Sequence, residues 1–285
     1  MKKIFVPTDF SDISKSALKL AVDIGRYSNS EIYLVNFMKH PFGRTFSTTG
    51  EIRDLSNTEK NLFTLELVRK NQSRLAKLAD QYGISVKIQY QVYNEEFTDG
   101  FEDYIKTNNI DLVVMGTSGE ESIEEFFSGN HTIQMIEKAT CPVISLKDEY
   151  KDMDFKNIIV GIDLEKDSND NFTQAAVFLN DFAKSVHGKL HLVHVADLNA
   201  NKSELEKKVN DFATKHGFKN FTVTIIQNDN KGHGLVNYSN TMKTSIIAIL
   251  THAEGGLLRK FYKSTADELS KTSSLPVMSI NLHNI

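Results

Sequence analysis

The sequence predicts an α/β chain made of two successive copies of a doubly wound, five-stranded parallel sheet, arranged as a pseudo-two-fold tandem. Two observations carry this. Strand-like segments recur at nearly fixed offsets along the chain. Within each copy, short apolar runs alternate with segments of helical period. Composition agrees: 285 residues, 40% hydrophobic and 25% charged, lie in the globular range, and the length allows two ordinary domains.

The repeat is read from residues. Lys3-Ile4-Phe5-Val6-Pro7-Thr8-Asp9 returns as Asn157-Ile158-Ile159-Val160-Gly161-Ile162-Asp163 at an offset of 154. Leu34-Val35-Asn36-Phe37 returns as Leu192-Val193-His194-Val195 at 158. Gly83, Gly100 and Pro142-Val143 return as Gly217, Gly234 and Pro276-Val277 at 134. The rising offset places a longer loop after Asp163, and the falling one an insertion between Phe37 and Gly83, around His40 to Gly50. The charged stretch Lys147 to Lys156, without apolar period, divides a first domain, 1–149, from a second, 150–285.

In the first copy, Lys3–Val6 is an apolar strand ended by Pro-Thr-Asp. Ser11 is a good N-cap for a helix carrying Ile13, Ala17, Leu20, Ala21 and Ile24 on one face. Glu31–Phe37 is the second strand, and Thr58 to Gln81 a helix through Leu62, Leu65, Leu67, Leu75 and Leu78. Ser85–Val92, Phe97–Thr107 and Asp111–Met115 follow as strand, helix and strand. Ile133–Lys138 lies in a last helix and Pro142–Leu146 is the fifth strand. Leu112-Val113-Val114-Met115 and Ile246-Ile247-Ala248-Ile249-Leu250 are the continuous aliphatic runs of strands covered on both faces. Ligands of such sheets bind at the carboxyl ends of the strands, which directs attention to Asp9, Phe37 and the loop after Met115.

That loop holds Gly116, Gly119 and Gly129, spaced G-x2-G-x9-G, with Gly129-Asn130-His131-Thr132 opening the next helix. Glycines let backbone amides approach a phosphate, and a helix N-terminus adds bare N–H groups and positive dipole. On spacing alone, the same glycines could equally shape a turn and precede a helix.

Val6-Pro7-Thr8-Asp9-Phe10-Ser11, Met115-Gly116-Thr117-Ser118-Gly119, Gly129-Asn130-His131-Thr132 and Cys141-Pro142-Val143 together resemble the universal stress protein family in its tandem, Rossmann-like form. The family's nucleotide-binding subset carries G-x2-G-x9-G followed by Ser or Thr; here Asn130 takes the last position, and Thr132 offers a hydroxyl one turn on. The resemblance implies a stress-response regulator that binds ATP or a related adenine nucleotide in its first domain, with Mg²⁺ left open. Pro7, Thr8 and Asp9 would meet the nucleoside, Asp9 on the ribose or a metal-linked phosphate. Phe37 would offer backbone groups to adenine. Met115, Gly116 and Gly119 would lie against ribose and phosphates, and Gly129, Asn130, His131 and Thr132 around the phosphates. Glu120, Glu121, Glu124 and Glu125 crowd this loop without a Lys or Arg, the feature that favours the alternative, a nucleotide-free interaction scaffold with both sites silent. In the second copy Gly116, Gly119 and Gly129 become Leu250, Ala253 and Lys263, and only Asp163 survives.

Other chemistry is not expected. Neither a P-loop nor a G-x-S-x-G elbow is present, and Gly232-His233-Gly234 lacks the third dinucleotide glycine. His191 and His194 point to opposite faces of a strand, so joint metal ligation is not expected, and no other metal or catalytic set stands out. Cys141 reads as a packed thiol. A net charge of −4 argues against a nucleic-acid partner, and no signal core or membrane span is present, so a soluble cytoplasmic protein with an unidentified protein partner is the expectation. In the family this chain resembles, single-domain members pair through their final strands. Pro142–Leu146 and Pro276–Ile280 are the matching elements, expected to pair within one chain, with homodimerisation left open.

Overall fold

The computed structural model describes residues 1–38, 58–117, 135–164, 171–242, 244–251 and 275–285. The first half carries β1 (Lys3–Pro7), α1 (Asp12–Ser28), β2 (Glu31–Phe37), α2 (Thr58–Tyr82), β3 (Ile88–Tyr93), α3 (Phe97–Asn108), β4 (Leu112–Gly116) and β5 (Val143–Leu146). The second carries β6 (Asn157–Gly161), α4 (Phe172–Ser185), β7 (Lys189–Ala196), α5 (Lys202–His216), β8 (Phe221–Gln227), α6 (Lys231–Thr241), β9 (Ile246–Thr251) and β10 (Val277–Asn281).

These strands form one ten-stranded sheet in the order β3-β2-β1-β4-β5-β10-β9-β6-β7-β8. Each half contributes five parallel strands in the same internal order. The order reverses at the centre, where β5 and β10 pair antiparallel, Val277 opposite Ser145 and Ser279 opposite Val143. The strands of the two halves match at the offsets read from the sequence, 154 for β1 and β6, 158 for β2 and β7, and 134 for the last two pairs; β3 and β8 match at 133.

Alternation through the pleat sends Ile4 and Val6 to one face and Phe5 to the other, and all three are buried. One apolar layer runs from Ile4, Val6, Leu112 and Ile144 on to Ile158, Val160 and Met278. The opposite layer joins Phe5, Val113 and Val143 to Ile159, Val193 and Ile247. Each layer is therefore shared by both halves. The segment between β5 and β6 is tied down: Tyr150 and Phe155 are buried, Lys19 pairs with Asp152 at 2.9 Å, and Tyr27 meets the Phe155 ring edge-on.

Ser11 caps α1 by accepting from the Ser14 amide. β3 begins at Ile88, three residues later than Ser85. The Tyr82 carbonyl captures the Ser85 amide and hydroxyl, so these residues form a turn that competes with the strand. Among the described residues, no helix is long and apolar enough to cross a membrane.

Candidate functional site

The site is built where β1 stops. After Pro7, the Thr8 amide still donates to the Val35 carbonyl (2.8 Å). The Thr8 carbonyl accepts from Asn36 Nδ2 (2.7 Å), and Asn71 Nδ2 in turn donates to Asn36 Oδ1 (2.9 Å). This buried relay holds the strand end against β2 and α2. The Thr8 hydroxyl lies 2.9 Å from the Ser14 hydroxyl, which locks the turn to the first turn of α1.

Between them, Phe10 takes φ of 69°, a left-handed conformation costly for a bulky side chain. Its buried ring is covered by the Arg74 guanidinium, 3.8 Å from the centroid. The bend leaves Asp9 at the mouth of the site, with Oδ1 accepting from the Ser11 amide (2.9 Å) and hydroxyl (2.5 Å). Partial burial would raise the Asp9 pKa, but the Ser11 hydrogen bonds outweigh it and hold the carboxyl below its usual range. Asp9 therefore stands as a carboxylate at neutral pH.

A cavity of about 190 Å³ opens here, more than ten times the space one water needs. Thr8, Asp9, Ser11 and Ser14 give it polar groups, with Pro7 beside them. Phe37 and Phe97 form one apolar wall; Ile13, Met115 and Gly116 form the other. The Phe37 and Phe97 rings are 5.3 Å apart, edge to face. Gly100 lets α3 approach this wall, since a Cβ there would lie 2.8 Å from Phe37 Cε1. Gly116 has a packing reason of its own, because a Cβ would press on Ile13 at 3.0 Å. The following Thr117 donates its amide (2.7 Å) and hydroxyl (2.8 Å) to the Leu146 carbonyl, anchoring the start of the glycine loop to the end of β5.

Of the residues named from sequence, Pro7, Thr8, Asp9, Phe37, Met115 and Gly116 share this one cavity. Gly119, Gly129, Asn130, His131 and Thr132 lie outside the described residues. Sequence reasoning missed Ser11, Ile13, Ser14 and Phe97. The first three follow Asp9 so closely that a turn folding back on the strand end could have suggested them. Phe97 had only its place at the start of a helix following a strand.

The equivalent place in the second half is built alike and filled differently. Ile162 donates its amide to the Val193 carbonyl (2.9 Å), and its own carbonyl lies 2.9 Å from His194 Nδ1. Asp163, the counterpart of Asp9, is met by Lys231 Nζ at 3.3 and 3.4 Å from its two oxygens. His191 bonds to Thr222 (2.7 Å) and Asn157 (3.1 Å), and Cys141 is buried with its thiol pKa pushed up by desolvation. Among the described residues, no group of three or more His, Cys, Asp or Glu could hold a metal ion.

A cavity at the strand ends of a doubly wound sheet thus stands directly before the glycine-spaced loop. The family model described as universal stress protein family matches residues 1–147. The chain belongs to the universal stress protein family. Universal stress protein MJ0531 of Methanocaldococcus jannaschii is 29% identical over 153 residues, covering 53% of this chain and 85% of that protein. Universal stress protein MJ0577 of the same organism is 27% identical, covering 51% and 94%. A universal stress protein structure from Archaeoglobus fulgidus superposes with a TM-score of 0.65 at 16% identity, covering 98% of this chain and 96% of that one. The two sequence relatives thus align with about half of this chain, and the solved fold with nearly all of it.

Proposed function

We propose that this chain is a stress-response regulator that binds one adenine nucleotide, ATP or a close relative, in its first half. Family membership supports the stress-response role. The observation that carries the ligand is the cavity itself: a carboxylate, three hydroxyls and two aromatic rings at the ends of the strands, directly before the G-x2-G-x9-G loop. These residues fit a nucleoside. Asp9 can accept from ribose hydroxyls, the apolar walls suit a planar base, and the glycine-spaced amides would take the phosphates.

In this reading residues 1–149 and 150–285 are two domains of a tandem, the first holding the site and the second bearing on it through the shared sheet. The protein works in the cytoplasm by binding and not by catalysis. Support comes from the hydroxyls nearby: those of Thr8, Ser11 and Ser14 are engaged with one another, with Asp9 or with backbone, and among the described residues no His or Lys lines the cavity. Nucleotide binding would bias conformation or the choice of a protein partner.

Mass spectrometry of the purified full chain under native conditions tests this. A retained or added adenine nucleotide should appear as one increment per chain. A protein that takes up none at millimolar nucleotide would instead match the silent scaffold favoured by Glu120, Glu121, Glu124 and Glu125.

A further inference from the structure

We propose that the first residue of the helix after the third strand decides which half of the chain takes a ligand. Phe97 walls an open cavity in the first half, and Lys231 acts as a built-in cation that occupies the strand-end carboxylate in the second. The inference rests on the nucleotide reading above.

The two residues are equivalent by position. Phe97 begins α3 and Lys231 begins α6, each following the third strand of its half. Gly100 and Gly234, three residues on, play one packing role: a Cβ on either would lie 2.8 Å from a side chain near the end of the second strand, Phe37 or Val195. Both helices are therefore seated alike, and both first residues face the same strand end.

What they present differs. Phe97 lines the cavity beside Asp9 and packs against the Phe37 and Phe101 rings at 5.3 and 5.2 Å. Lys231 reaches across the corresponding space to both oxygens of Asp163, whose side chain is only 13% exposed. The turn chemistry changes in step. Asp9 is followed two residues later by Ser11, which supplies an amide and a hydroxyl to its carboxylate. Asp163 is followed by Leu164-Glu165, which cannot supply that hydroxyl. A largely buried carboxylate needs compensation, and in the second half Lys231 provides it from inside the fold. A ligand hydroxyl approaching Asp163 would have to displace an ammonium already in place, whereas one approaching Asp9 meets a carboxylate facing an apolar wall. One substitution thus supplies an attractive surface in one copy and a competing internal partner in the other.

The test uses the full chain with adenosine and ATP as separate probes in calorimetric titrations. Phe97→Lys, which copies the second half, should weaken both probes by a similar factor, on the order of tenfold to a hundredfold, as expected for a lost aromatic contact with a base. Phe97→Tyr should stay within a few-fold of the unsubstituted protein, and Phe97→Leu should fall between. Lys231→Phe should leave first-half affinity unchanged. If the unsubstituted chain binds and Phe97→Lys binds equally well, the inference is overturned while the nucleotide reading stands. Equal losses in Phe97→Tyr and Phe97→Lys, with a lowered unfolding midpoint in both, would mean that Phe97 only supports the fold, and would also overturn it. An unsubstituted chain that binds neither probe at millimolar concentration sinks the nucleotide reading and this inference together.

Discussion

At the end of β1, Asn36 donates to the Thr8 carbonyl at 2.7 Å; at the end of β6, His194 Nδ1 lies 2.9 Å from the Ile162 carbonyl. The residue types differ, yet the bond joins the same two positions of the repeat. The Thr8–Val35 and Ile162–Val193 backbone bonds, and the Gly100 and Gly234 contacts, repeat in the same way. Against this common frame, the side chains facing the ligand space diverge: Asp9 with Ser11 and Phe97 in one half, Asp163 with Lys231 in the other. The comparison teaches that the groups building the strand end and those using it are separable. The first kind recurs in both copies, where it ties the end of the first strand to the second. The second differs between the copies, as Ser11 and Phe97 against Lys231 show.

The largest effect is expected where the halves meet. Val143 and Val277 are buried at the β5–β10 junction, and an Asp at either position would bury an uncompensated charge. Val143→Asp and Val277→Asp should each lower the calorimetric unfolding midpoint by roughly 10 °C, from several kcal/mol at about 2–4 °C each. Since both apolar layers cross the junction, the whole chain should melt earlier; loss confined to one half would break the idea of a shared core. Next comes the glycine loop. Gly129→Lys, which copies Lys263, should abolish nucleotide binding in titrations up to millimolar ligand, by filling the phosphate approach, with the unfolding midpoint unchanged.

A smaller effect compares the two relays directly. Asn36→Ala and His194→Ala each leave a strand-end carbonyl without its side-chain donor, at about 1–3 kcal/mol. Chemical denaturation should show similar losses for both. Only Asn36→Ala should also weaken nucleotide binding, because only its strand end borders the cavity.

The smallest effect is a difference in acid response. Buried His191 stands where the first half has Tyr33. Desolvation, and then Lys189, hold its pKa below the ordinary value. The folded state thus binds fewer protons than the unfolded state, so stability is unaffected well above about pH 6.5 and falls as pH drops through the unfolded-state value. His191→Gln should flatten the fall in unfolding free energy between pH 7.5 and 5.5, by at most about 1 kcal/mol per pH unit. An unchanged slope would assign the acid response elsewhere.

Much of the fold could be read from the residues, because aliphatic runs such as Leu112–Met115 and Ile246–Leu250 have few ways to be buried, and because the chain states its pattern twice. Strand ends shifted where local side-chain chemistry intervened, as at Ser85, whose hydroxyl and amide turn back to Tyr82. The segment 147–156 has no apolar period, yet Tyr150 and Phe155 anchor it; two isolated aromatics leave no periodic signal. At the site, Asp9, Phe37 and Gly116 were readable as strand ends, whereas Phe97 and Lys231 were not. Their roles come from a helix packing back across the sheet, a contact that spacing in sequence does not encode. Gly119, Gly129, Asn130, His131 and Thr132 are proposed from their motif and lie outside the described residues.

The central claim is that one half holds a nucleotide and the other does not. Titration calorimetry of the full chain with ATP tests it most directly, run on the unsubstituted protein and on Asp9→Asn and Asp163→Asn. The expected result is a stoichiometry of about one, an affinity weakened by about tenfold or more in Asp9→Asn, and no change in Asp163→Asn. A stoichiometry of two, or a loss that follows Asp163 and not Asp9, would contradict it.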